Sequence, residues 1–136
     1  MKKSKKPNLS KAKLKKDLWE IFSQFIRLRD NGRCFTCGKK RHWKQMHAGH
    51  YIPKSICGDV LYFSEKNVNC QCSGCNTFRH GNLVYYALQL REKYGEGILE
   101  KLQEIKKEGK ILSSLDFLQM ISQYKIKVEK LKSSYF

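Results

Sequence analysis

The sequence predicts a small α+β domain with a short-stranded, turn-rich centre between helical ends. Three observations carry this reading. Apolar residues recur at helical spacing over residues 17–29 and again beyond Asn76, so both flanks are helical. The stretch between them, residues 33–75, alternates short apolar runs with glycine, cysteine and turn residues. Two Cys-x-x-Cys pairs bracket that centre and supply a crosslink for a small core. A chain of 136 residues makes one domain with tails rather than two domains, and its core is modest enough for a bound metal to matter.

The elements follow in order. Residues 1–16 form a lysine-rich arm: Lys2, Lys3, Lys5, Lys6, Lys11, Lys13, Lys15 and Lys16 stand there without an acidic residue. Such a block repels itself and is expected to stay disordered until it meets phosphate. Leu18, Phe22, Phe25 and Ile26 then mark a helix over residues 17–29, with Trp19 beside the stripe and Asp17 favourably placed in its first turn. This stripe is read as core, and Asp30-Asn31-Gly32 ends the helix. Residues 34–38 look like a knuckle, and residues 47–53 and 60–63 like two short strands. A helix from Asn76 runs through Leu83, Tyr86, Ala87 and Leu90 until Tyr94-Gly95 and Gly97 interrupt it. Ile98, Leu99, Leu102 and Ile105 mark another, stopped at Gly109. Ser113 with Asp116 forms a capping box for a last helix. Its stripe of Phe117, Leu118, Ile121, Tyr124, Val128 and Leu131 is either core or a dimer seam. The chain thus divides into an arm (1–16), a core domain (17–109) and a C-terminal helix (110–136).

Charge narrows the function classes. Lys plus Arg number 28 against 12 Asp plus Glu, a formal charge of +16. That excess implies a polyanionic partner, with nucleic acid first and an anionic membrane surface second. No run reaches spanning length and no signal-like apolar segment opens the chain, so it reads as intracellular.

Six cysteines in a reducing compartment suggest metal ligation rather than three disulfides. Cys34-x-x-Cys37 and Cys72-x-x-Cys75 each place two thiolates on a tight knuckle, and together they make a tetrahedral set suited to zinc. A second knuckle that opens a helix is the plan of a treble-clef finger. Cys57 and Cys70 are read as non-ligands. A closed four-cysteine site is structural, because it leaves no position for a substrate, so any chemistry must come from other residues.

Those residues lie between the knuckles and just after them: His47-Ala48-Gly49-His50-Tyr51-Ile52-Pro53, then Asn67, then Asn76 directly after the last zinc cysteine. An imidazole titrates near neutrality and can activate water, and a carboxamide oxygen suits a hard divalent cation. The His…Asn…Cys-x-x-Cys-Asn order resembles the HNH, or His-Me finger, nucleases. The resemblance implies a zinc-held ββα core around one catalytic cation, with His50 as general base, Asn67 buttressing the hairpin, Asn76 as ligand of Mg²⁺ or Mn²⁺, and Arg79 on phosphate. Phe25-Ile26-Arg27, Arg29-Asp30, Ala48-Gly49-His50-Tyr51, residues 61–63, Gln71-Cys72 and Gly81-Asn82-Leu83-Val84 narrow the likeness. They resemble the phage NinG (Rap) recombination endonucleases over most of residues 25–102. That family's Asp three residues before the base is replaced here by His47. His47 either ligates the cation, favouring softer transition metals, or orients the ligands from behind.

Arg33, Lys39, Lys40, Arg41, His42, Lys44 and Lys54 cluster around the hairpin, with Trp43 and Tyr51 among them. Of these, Lys39, Lys40, Arg41, Lys44 and Lys54 join Arg79 as expected DNA contacts, and Trp43 is either a stacking platform or core. No recognition helix is evident, so selectivity for DNA structure over sequence is expected. The resemblance implies a metal-dependent endonuclease acting on branched recombination intermediates such as Holliday junctions and D-loops, encoded by a phage or prophage and working in the bacterial cytoplasm. A homodimer and other recombination proteins are its expected partners. Two rival readings stand beside it: a non-catalytic zinc module that binds DNA, and a general duplex HNH nuclease.

Overall fold

The computed structural model describes residues 10–134, so most of the lysine-rich arm lies outside the described residues. Among the described residues, five α-helices and one two-stranded sheet make up the regular structure: α1 (Lys11–Arg29), β1 (His47–His50), α2 (Gly58–Tyr62), β2 (Val68–Gln71), α3 (Leu83–Tyr94), α4 (Ile98–Glu108) and α5 (Ser114–Ser134). A 3-10 turn at Trp43–Gln45 and a single π turn at Gly74–Phe78 flank the sheet in sequence.

α1 starts six residues earlier than its apolar stripe suggests. Ser10 accepts from the Lys13 amide through its side chain (3.2 Å), which caps the helix. Leu14 continues the spacing of Leu18 and Phe22 and is buried with them. Lys11, Lys13, Lys15 and Lys16, expected in a disordered arm, are therefore helical and ride on the outer turns of α1. The buried face packs on α5: the Phe22 and Tyr124 rings meet edge to face at 5.0 Å, and Phe117 and Val128 lie in the same cluster. Phe117, Tyr124 and Val128 of the α5 stripe are thus core within one chain, while Ile121 and Leu131 are half-buried and Leu118 is exposed at its margin. Its capping box forms as read, with the Asp116 amide donating to Ser113 Oγ (3.1 Å) and the Ser113 amide to Asp116 Oδ2 (2.8 Å).

β1 pairs antiparallel with β2, in the register His47 to Gln71 and His50 to Val68. The first strand ends at His50, short of Pro53. Residues 60–63 are not the second strand; they belong to α2 and its end. Gly58 (φ 78°) turns the chain into that helix, and Leu61 packs against α3 and α4 in a second apolar cluster with Ile52, Tyr86, Leu90, Ile98 and Leu102. The true partner strand is buried on both faces, including its polar Asn69 and Gln71.

Most of the polar side chains inside are paired; Gln71 Oε1 is the exception among the described residues. Asp30 accepts from the Cys70 amide (2.8 Å) and from Arg29, while Arg29 also donates to the Glu65 and Val68 carbonyls and to Asn69 Oδ1. Asn69 Nδ2 donates to the Tyr86 hydroxyl (3.1 Å), which donates to the Gly49 carbonyl (2.7 Å). A hydrogen-bonded chain therefore runs from the end of α1, across β2, to the hairpin backbone beside His50. Such networks fix register because any slip leaves buried groups unpaired.

Candidate functional site

The two knuckles meet. The sulfurs of Cys34, Cys37, Cys72 and Cys75 all lie within 4.8 Å of one another, and Cys37 Sγ and Cys72 Sγ are 3.7 Å apart. Zn–S bonds of about 2.3 Å in a tetrahedron put sulfurs about 3.8 Å apart, so this set fits a tetrahedral metal ion such as zinc. Cys57 and Cys70 stand outside the cluster, as read from the sequence. Burial pushes the Cys70 thiol up to about 12, with Asp30 reinforcing it, which keeps that sulfur protonated.

The four-cysteine cluster positions the second constellation. Gln71 is cross-strand from His47 and one residue before Cys72. Asn76 follows Cys75 on the π turn, and its Nδ2 donates to His47 Nδ1 (3.1 Å). His50 and Asn76 line one cleft, together with Trp19, Lys54, His80 and Leu83. His50 Nε2 lies 3.0 Å from the Tyr62 carbonyl. A carbonyl only accepts, so Nε2 carries the proton and Nδ1 keeps its lone pair. The ring stacks on Trp19 (5.1 Å between centroids, 26° between planes) and meets Tyr62 at 5.0 Å. Burial holds this imidazole far below its ordinary range, at about 4, and nearby Lys54 pushes the same way.

Asn67 is a buried brace. Its Oδ1 accepts from the Ile52 amide (2.9 Å), and its Nδ2 donates to the carbonyls of Ile52 (3.2 Å) and Leu61 (3.1 Å). It ties the chain after His50 to the residue before Tyr62, the two ends of the His50 contact. Of the expected DNA contacts, Lys54 lines the cleft and Arg79 is exposed beside His80 on the adjoining loop. Lys39, Lys40, Arg41 and Lys44 are exposed on the segment around the first knuckle and do not line the cleft. Trp43 is buried against Arg27 and belongs to the core, and Tyr51 packs on Tyr86. Trp19 and His80 are site-lining residues that the sequence reading did not single out. Trp19 reaches His50 across 31 positions of chain, so no local spacing reveals it. His80 follows the π turn in a left-handed conformation (φ 50°), so helical spacing from Asn76 does not reveal it either.

Gly49 shows how tightly the site is built. A Cβ there would stand 1.8 Å from Gln71 Oε1 and 2.9 Å from Asn76 Oδ1. Gln71 cannot swing away freely, because it is fully buried and its Nε2 donates to Thr36 Oγ1 (3.1 Å) and to the Gly81 carbonyl (2.9 Å). Gly49→Ala is therefore expected to displace Gln71 and Asn76 and to destabilise the fold by about 1–3 kcal/mol. Urea unfolding measures this, and a change below about 0.5 kcal/mol would show that the cleft wall yields.

The family model described as "Bacteriophage Lambda NinG protein" matches residues 1–134. The chain belongs to the NinG family. This NinG-family chain is 33% identical over 89 residues to protein ninG of Escherichia phage lambda, a stretch covering 65% of the chain and 43% of the relative. It is 34% identical to protein ninG of Salmonella phage P22 and 32% identical to that of Enterobacteria phage H19B, over the same length and shares. The match thus spans less than half of each relative. No solved structure matches. Among the described residues of this NinG-family chain, no helix is long and apolar enough to cross a membrane.

Proposed function

We propose that this NinG-family chain is a structure-selective DNA endonuclease of the HNH, or His-Me finger, type, hydrolysing phosphodiester bonds in branched recombination intermediates. The observation that carries this is the convergence of His50 and Asn76 on one cleft, next to a four-cysteine metal cluster, on a chain of charge +16.

The donor set suits a catalytic cation held by His47 and Asn76. His47 Nδ1 and the Asn76 carboxamide are 3.1 Å apart, a separation that neighbouring ligands of one ion can share. Gln71 Oε1, buried and without a hydrogen-bond partner, lies on the Gly49 side of Asn76. A half-turn of the Asn76 carboxamide would put its N–H on the side of that unpaired oxygen and its own oxygen beside His47. When bound, the cation stabilises charge on the phosphate and the leaving oxygen. His50 does the proton chemistry. Its Nδ1 takes one proton from a water as the water oxygen bonds to phosphorus; the phosphorus–oxygen bond to the leaving strand breaks, and solvent protonates that oxygen. Lys54 and Arg79 meet the phosphate backbone, and Asn67 holds the Ile52 and Leu61 backbone that frames His50.

Cleavage of a labelled four-way junction and of its linear arms, across Mg²⁺, Mn²⁺, Co²⁺ and Ni²⁺, tests the proposal. The junction should be cut in preference to the arms. Mn²⁺ should outperform Mg²⁺, because His47 supplies nitrogen where carboxylate oxygen is usual, and His47→Asp should shift the preference toward Mg²⁺. If neither DNA is cut with any of the four ions, the nuclease assignment fails.

A further inference from the structure

Five of the exposed large apolar residues fall within one short stretch bordering the cleft. Phe78 is 79% exposed, Val84 74%, Tyr85 58%, Leu88 52% and Leu83 41%. Phe78 ends the π turn that carries Asn76, and Leu83 itself lines the cleft. Val84 and Leu88 stand one helical turn apart on α3, with Tyr85 beside them. Val84, Tyr85 and Leu88 thus share one exposed face of α3, and exposed apolar side chains concentrated beside a cleft are what a binding surface supplies.

Charge decides the occupant. Residues 66–91 contain no Asp or Glu, while Arg79, His80 and Arg91 stand within or at the end of the apolar stretch. The surface therefore suits a ligand that carries flat apolar faces on an anionic backbone. Paired bases in a linear duplex keep their faces stacked on one another, so only unpaired or unstacked bases offer them. Of the aromatics weighed for this role from sequence, Trp43 is buried in the core and Tyr51 is half-buried against Tyr86.

We infer that Phe78, with Val84, Tyr85 and Leu88, forms a platform for unpaired bases of the DNA whose phosphate enters the His50–Asn76 cleft. Resting on the nuclease reading, this inference names the feature by which that site selects its substrate: bases opened at a branch point.

The test is equilibrium binding of the full chain without a divalent cation. It uses fluorescence anisotropy on a four-way junction and on a linear duplex of equal length, with 2-aminopurine at the branch as a second readout. Phe78→Ala is expected to lower junction affinity at least about fivefold, leave duplex affinity unchanged and remove the 2-aminopurine change. Phe78→Trp should restore junction affinity and the 2-aminopurine change. Phe78 is exposed, so neither change should disturb the fold, and unchanged metal content and melting midpoint confirm that. Equal loss on junction and duplex, or no loss on either, overturns the inference. So does a fall in sedimentation coefficient with unaltered DNA binding, which would give the surface to a second copy of the chain. Because the readout is binding, the platform can fail while cleavage stands, and cleavage can fail while the platform stands.

Discussion

Removing metal from the four-cysteine cluster is expected to unfold the centre of the protein and abolish DNA binding. The cluster joins residues 34–37 to residues 72–75, and little else crosslinks those two knuckles. The Phe35 amide donates to the Cys70 carbonyl (2.7 Å), and Gln71 Nε2 reaches Thr36 (3.1 Å). Cys34, Cys72 and Cys75 are buried, so without a metal their thiolates would face each other in a low-dielectric interior. Zinc binding supplies on the order of 10 kcal/mol in small domains, comparable to the entire stability of a typical one. A strong chelator, or Cys72→Ser, should therefore lower the melting midpoint by tens of degrees at the roughly 4–8 °C per kcal/mol of small domains. Metal content measured alongside should fall from one ion per chain to none. Cys57→Ser and Cys70→Ser are the controls. Both sulfurs lie outside the cluster, so both variants should keep the metal whatever they cost in packing. An unchanged midpoint in chelator would mean that the apolar clusters alone hold the domain.

How far the sequence led, and where it stopped, follows from which interactions are local. The knuckles were legible because ligand spacing is a local requirement. The stripe from Leu18 to Ile26 was legible because helix period is local too, as were the α5 capping box and the glycine stop at Gly109. The lysine block hid the first turns of α1: four lysines over residues 11–16 mask Leu14, although it keeps the spacing of Leu18. The alternation of Leu61 and Phe63 imitates a strand, yet Asn67 bonds the Leu61 carbonyl and His50 the Tyr62 carbonyl, which needs the turned chain of α2. The real second strand gave no period-two signal. Asn69 and Gln71 are as buried as Val68 and Cys70, and their side-chain N–H groups donate to partners 17 and 35 positions away in sequence. Polar residues inside a sheet look like surface until their partners are known. For the candidate site, His50, Asn67, Asn76 and His47 were singled out by order, spacing and the resemblance these carry, and the structure places His50 and Asn76 on one cleft with His47 bonded to Asn76. Trp19 was not, because its contact with His50 exists only after α1 packs on the hairpin.

Replacing His50 by Ala is expected to reduce cleavage by at least about 10²–10⁴-fold while DNA binding stays within about twofold. The same ring should govern acid stability. Unfolded, this imidazole titrates near 6.5; folded, burial holds it at about 4. Between those values the unfolded chain binds a proton that the folded chain does not, so stability rises with pH across the window. The contribution is fully present above about pH 6.5 and is lost as pH falls toward 4. It amounts to roughly 3 kcal/mol, from about 2.5 pH units at 1.36 kcal/mol each. Urea unfolding from pH 7 to pH 4 should show a steeper decline in wild type than in His50→Ala, the two sharing only the loss that comes as acid protonates the four clustered cysteines. Ring resonances of His50 should titrate near 4 in the free protein. Entry of a DNA phosphate beside the ring adds a negative charge, which raises the imidazole toward the value a general base needs. On the proposed nuclease reading, the ring's placement explains how an imidazole so far depressed can serve as base. Tyr62 fixes the protonated nitrogen at 3.0 Å, and Trp19 fixes the plane. The free Nδ1 is then neutral and ready at every pH above about 5, and the substrate's own charge strengthens it only when a phosphate is present. Titration of His50 near 6.5 in the free protein, or full cleavage by His50→Ala, would remove the imidazole from this role.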